Sequence, residues 1–152
     1  PNLGSLKGKT TARTNSRVHT TVDQVPAAIL EQHKDVTLAV DIMYINKVPF
    51  LVTKSRDIQF GTVEQLDNRQ VPTIIAAVKD VIALYTSRGF KVRTILADIE
   101  FACIEAEFRG IHVDLCGVDD HIPEVERYIR TLKDRTRIVN IMRCHSRTSA
   151  SS

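Results

Sequence analysis

Three carboxylates and a column of cations are the side chains of this sequence best suited to chemistry. Asp41 interrupts VTLAVDIMYI, the most apolar run in the chain, where an ionised carboxylate is expensive to bury unless a cation or hydrogen-bond donors offset the cost. Asp98 closes a second apolar run, KVRTILAD, at the kind of C-terminal strand end where ligands of α/β sheets sit. Glu126 heads a stripe formed with Arg130, Lys133 and Arg137, whose spacing of four, seven and eleven residues puts all four on one helix face. Taken singly, each has an ordinary explanation: a strand-end turn for an Asp, or a solvent-facing Glu126–Arg130 pair worth about 0.3–0.5 kcal/mol. Taken together they suit a divalent ion such as Mg²⁺, held by carboxylates and substrate oxygens, beside cations that grip the flanking phosphates.

The elements that must position these residues follow from local pattern. The run from Val36 is β-branched and apolar, as expected of a strand covered on both faces, and Asn46-Lys47 can turn the chain into a second strand, PFLVTKS. DIQFGTVEQL alternates Ile58, Phe60, Thr62 and Glu64 and reads as a third strand. Pro72 marks a helix start, Ile74, Ile75, Val78, Val81, Ile82 and Tyr85 follow at helical spacing, and Gly89 ends it. KVRTILADI is a strand, EFACIEAEFRG a short helix closed by Gly110, IHVDLCG a strand, GVDDHI a loop, and Pro123 opens a long helix reaching about Arg143. On that helix Val125, Tyr128, Ile129, Leu132, Thr136 and Val139 form the core face. Three antiparallel strands followed by strand–helix alternation predict an α/β fold. Its sheet is mixed and five-stranded, three strands antiparallel and then two parallel, flanked by helices.

Composition agrees with one folded domain. The chain has 152 residues, 43% hydrophobic and 26% charged, which excludes a disordered or collagen-like polypeptide. No apolar run approaches the ~18 residues of a membrane span, and no secretory signal is apparent, so an intracellular chain is expected. The net charge of +3 hides an asymmetry. Residues 1–21 carry four basic side chains and no acid, residues 123–147 carry seven against three, and residues 22–122 carry ten against fifteen. An acidic body between basic ends suits a metal-using protein that acts on nucleic acid. Residues 1–35 read as a basic linker or arm, with Lys9 and Arg13 placed to meet DNA, 36–144 as the core, and 145–152 as a flexible tail. The opening at Pro1 suggests a piece of a longer protein. Three widely spaced cysteines, Cys103, Cys116 and Cys144, point to reduced, core-filling thiols rather than a disulfide framework or a zinc site.

The segment VERYIRTLKDRTR resembles the signature helix of retroviral and retrotransposon (copia-type) integrases. VDIMYINKVPFLVTKSRD is similar to that family's first strand and hairpin, ILADIEF to the strand that delivers its second Asp, and LKGKTTAR to the linker that precedes the domain in retrotransposon polyproteins. The resemblance spans residues 36–140 and implies a ribonuclease-H-like catalytic core with Asp41, Asp98 and Glu126 as an acidic triad binding two Mg²⁺ or Mn²⁺ ions. It implies that Arg130 and Lys133 face donor DNA, and that the enzyme trims DNA 3′ ends and joins them to target DNA. It also implies a homo-oligomer, an origin in a polyprotein, and a place in the nucleus or a virus-like particle. The sequence departs from the family's pattern between the second and third acids. Only 27 residues separate Asp98 from Glu126, and Ile122-Pro123-Glu124 stands where Asn-Gly is usual, which leaves Glu124 and Asp120 as rival third ligands. A nuclease that only hydrolyses and a non-catalytic DNA-binding remnant are the alternatives.

Overall fold

Strand β1 (Asp35–Ile45) is the centre of the molecule. Its β-branched residues favour extended backbone, and both its edges are paired. On one edge it runs antiparallel to β2 (Val48–Ser55), which pairs antiparallel with β3 (Gly61–Gln65); on the other it runs parallel to β4 (Lys91–Asp98), which pairs parallel with β5 (His112–Cys116). The order β3-β2-β1-β4-β5 is the mixed five-stranded sheet expected from the sequence. Helices α1 (Ala27–His33), α2 (Val71–Ser87) and α3 (Pro123–Thr148) and a 3₁₀ helix (Ile99–Glu107) complete the chain. This computed structural model describes residues 24–117 and 122–148.

The β1–β2 hairpin turns at Asn46 and Lys47, whose φ angles of 50° and 66° are the paired left-handed conformations of a tight two-residue turn. Pro72 lies in the first turn of α2, and Gly89, at φ 90°, follows its end. Side chains along β1 alternate between two cores. Val36, Leu38 and Val40 face a large cluster with Val78, Val81 and Tyr85 of α2 and Phe101 and Ile104 of the 3₁₀ helix. Ala39 and Met43 face a smaller one with Val52, Leu96, Ile122 and Val125, against which Tyr128, Ile129 and Leu132 of α3 pack.

Five local expectations are corrected. The third strand begins at Gly61 rather than Asp57: Asp57 accepts the Thr37 N–H (2.7 Å), Ser55 Oγ accepts the Ile58 N–H (3.2 Å), and Gln59 takes φ 56°, which holds 57–60 in a turn. The helix after β4 is 3₁₀ over Ile99–Glu107, with Phe101 and Ile104 as its buried anchors. Within the stretch read as an arm, residues 27–33 form α1, and Leu30 packs on the core and against Gly89. The last helix continues to Thr148, into the stretch read as a tail. Cys103 is exposed and Cys116 half-buried, so neither fills the core completely.

Candidate acidic site and basic stripe

Strand register brings the first two carboxylates together. In the β1–β4 ladder Val36 faces Val92 and Thr37 faces Thr94, so Arg93 is an extra residue; the ladder then runs in step to Val40 opposite Ala97. The shift matters because side chains alternate along a strand. Val92 faces the α2-side core, yet after the irregularity Ile95 and Ala97 face that core and Leu96 faces α3. Asp98 therefore shares the α3 face with Asp41, which lies between Ala39 and Met43 of the same face. The two acids stand one step beyond the last paired residues of adjacent strands, whose axes are about 4.8 Å apart. A bulge that re-aims a side chain beside a site is a familiar use of such irregularities.

The third carboxylate comes from the start of α3. Ile122 and Val125 are buried against Leu96, Ala39 and Val52, which pins the first turn over the sheet, and the Glu126 N–H donates to the Ile122 carbonyl (3.2 Å). Asp41, Asp98 and Glu126 line a single recess with Val40, Ile122 and Val125, a space of about 20 Å³, room for roughly one water-sized body. Asp41 is half-buried, and Asp98 and Glu126 are exposed. Burial pushes the Asp41 carboxyl above the usual carboxylate range; the Ile42 N–H, donating to Asp41 Oδ1 at 2.7 Å, opposes this, and the negative charges of Asp98, Glu126 and Glu100 add to it. The recess is thus a pocket of concentrated negative potential.

Its donors are all hard carboxylate oxygens, the set that Mg²⁺ or Mn²⁺ prefers. The donor chemistry fits such an ion, although among the described residues no three His, Cys, Asp or Glu side chains are disposed to hold one as they stand. Two of the three acids, Asp98 and Glu126, are exposed and lie close to the ends of their elements.

Glu124 turns away to Arg56, accepting from Nε at 3.0 Å and Nη2 at 3.4 Å, and Asp120 lies outside the described residues. Along α3, Glu126, Arg130, Lys133 and Arg137 line one shallow groove of about 310 Å³ with Ile129 and Asp134, so the stripe expected from spacing is a continuous surface. Lys9 and Arg13 fall outside the described residues.

Sequence reading missed a second feature at the same rim. Arg69, in the loop before α2, forms an ion pair with Glu100, two residues beyond Asp98, and its guanidinium lies 5.8 Å from the centre of the Tyr44 ring. The partners are 31 residues apart in the chain, and no local pattern signals the contact.

No family model matches the chain, and no curated protein matches its sequence. Among solved structures, the chain is similar to the catalytic core domain of BIV integrase, with a TM-score of 0.53 at 18% identity, over 68% of this chain and 70% of that one. Identity this low speaks to architecture alone, and the architecture agrees with the strand order and mixed pairing described above. Among the described residues no helix is long and apolar enough to cross a membrane. The chain has the ribonuclease-H-like fold of a retroviral integrase catalytic core.

Proposed function

We propose that this chain is the catalytic core of a copia-type retrotransposon integrase, which trims DNA 3′ ends and joins them to target DNA by in-line phosphoryl transfer. The observation that carries this reading is the meeting of Asp41, Asp98 and Glu126 at one recess, from whose edge the Arg130, Lys133 and Arg137 stripe runs along α3. In this reading the three acids hold two Mg²⁺ or Mn²⁺ ions, which supply activation of the attacking oxygen and stabilisation of the leaving one. The α3 cations hold the phosphates that flank the scissile bond. Ile122 and Val125 form the apolar wall that shields the recess, and the Ile42 N–H fixes the orientation of Asp41. Lys9 and Arg13 add sequence-independent contacts to DNA. The working unit is a homo-oligomer released from a polyprotein and acts in the nucleus or a virus-like particle.

The test is Asp41→Asn in an assay for joined products, using a labelled duplex end and a target duplex with Mg²⁺ or Mn²⁺. Product is expected to fall about a thousandfold or more, the equivalent of ~4 kcal/mol. The unfolding midpoint is expected to stay level or rise, because the substitution removes a half-buried charge from among like charges. Joining at the wild-type rate refutes the assignment. A second reading, a non-catalytic DNA-binding module, draws on the absence of a converged trio among the described residues. Calorimetric titration with Mn²⁺ separates the two: a catalytic core binds the ion and loses it in Asp41→Asn, whereas a remnant binds weakly and equally in both. Products that are cut but never joined identify a nuclease instead.

A further inference from the structure

We infer that Arg69 is a second phosphate-binding station for DNA, on the opposite side of the acidic recess from α3. The inference rests on the DNA-directed reading above and adds a residue that neither sequence pattern nor fold likeness assigns.

A strand of DNA that lies over the recess brings its phosphates close to three carboxylates, which repel them. Cations are therefore needed on both flanks. The α3 stripe supplies one flank. On the other side of β1, a cleft of about 350 Å³ opens between Ile42, Phe101, Arg69 and Glu100. Ile42 is the neighbour of Asp41, and Glu100 follows Asp98 by two residues, so the cleft and the recess flank the same strand ends. Among the described residues the other ion-paired cations are placed differently. Arg93 pairs with Asp35 at the start of β1, Arg56 with Glu124 in the first turn of α3, and Lys79 of α2 with Glu107 at the end of the 3₁₀ helix.

The setting of Arg69 is that of a presented guanidinium. The ring of Tyr44, itself 44% exposed, supports it at 5.8 Å, and Glu100 holds one of its terminal nitrogens. A guanidinium carries five N–H donors, so a phosphate can be bound while the carboxylate contact is kept or exchanged. Both partners of the ion pair are about half exposed or more, and such pairs are weak and give way to a bidentate phosphate.

The experiment is equilibrium binding of the full chain to a short duplex of mixed sequence over a series of KCl concentrations. Arg69→Ala is expected to weaken binding and to lower the slope of log affinity against log salt by about one, the value of one lost phosphate contact. Arg69→Lys keeps the charge and is expected to keep the slope. Arg130→Ala serves as reference. A slope unchanged by Arg69→Ala but lowered by Arg130→Ala overturns this inference and leaves the DNA reading standing. If the wild-type chain shows no salt-dependent binding, or neither variant moves the slope, both fail together. Matching thermal unfolding midpoints show that a lowered slope reflects a lost contact rather than a lost fold, and a slope lowered equally by Arg69→Lys also overturns the inference.

Discussion

The two faces of the sheet are built from the same strands and do different work. On the α2 side, alternate residues of β1, β2 and β4 meet α2, β5 and the 3₁₀ helix in a large apolar cluster that includes Leu38, Leu51, Val78, Ile95 and Ile104, all essentially inaccessible. On the α3 side the buried set among the described residues shrinks to six, with Ala39 and Val52 among them, and the strand position between Ala39 and Met43 is given to Asp41. Burying apolar surface is worth about 25 cal/mol per Å², so the α3 face gives up stability where it makes room for charge. The lesson is a division of labour imposed by strand periodicity: one side chain stabilises the fold, and the next is available for chemistry.

The largest effect on stability should come from the α2 side. Leu38→Ala removes a fully buried side chain from the larger cluster, and it is expected to cost about 2–5 kcal/mol, read as a lowered urea midpoint at unchanged slope. Asp41, three residues on and on the opposite face, should show the reverse behaviour: neutralised, it costs nothing in stability and nearly everything in joining. If Leu38→Ala costs under about 1 kcal/mol, or Asp41→Asn destabilises comparably, the division between the faces is wrong.

Alkaline pH sharpens the comparison from within the same cluster. Tyr85 is buried, its hydroxyl donates to the Phe60 carbonyl (3.3 Å), and its ring meets Phe60 and Phe90 edge-on. Burial pushes its phenol up to about 12, with a smaller contribution from nearby Tyr128 and an opposing hydrogen bond from Ser55. The folded state therefore holds the proton more tightly than the unfolded chain. Tyr85 contributes its full stabilisation below pH 10 and loses it as pH rises through about 12, a change of roughly 2–3 kcal/mol. Tyr85→Phe is expected to lose about 1 kcal/mol at neutral pH with the hydrogen bond, and to flatten the alkaline decline measured by urea unfolding from pH 9 to 12. A variant that declines as steeply as the wild type shows that the phenol is not linked to folding.

Local chemistry made much of the fold legible. The apolar run of β1, the Asn46-Lys47 turn, Pro72 in the first turn of α2, and Gly89 after its end each act over a few residues, and each appears where its residue type requires. Features that depend on distant partners were hidden. The late start of β3 comes from Asp57 reaching Thr37 twenty residues away, and α1 owes its place to Leu30 meeting Gly89. At the acidic recess, Asp41 and Glu126 stood out by pattern, the first as a charge in an apolar strand and the second as the head of a helical stripe. That Asp98 faces the same way as Asp41 depends on the extra residue at Arg93. Alternation counted from Val92 points Asp98 to the α2 side. Arg69 was invisible for the same reason, since its partners Tyr44 and Glu100 come from other elements.

The smallest effect tests which acid of α3 belongs to the recess. Glu124 and Glu126 are two residues apart on the same turn, yet Glu124 is paired with Arg56 and only Glu126 lines the space beside Asp41 and Asp98. The Glu124 carboxyl is held below the usual carboxylate range, first by its own backbone N–H at the helix start and then by Arg56, against the opposing effect of partial burial. A lowered pKa means that Glu124 stabilises the fold above its unfolded pKa and ceases to do so as pH falls through its folded value. Because the pair is largely exposed, Glu124→Gln is expected to cost no more than about 1 kcal/mol at neutral pH, to lessen the loss of stability on acidification, and to leave joining activity intact. Glu126→Gln should do the opposite, abolishing joined products with little change in the unfolding midpoint. Should Glu124→Gln be the variant that loses joining, the third carboxylate has been assigned to the wrong residue, and the start of α3 must rotate when DNA binds.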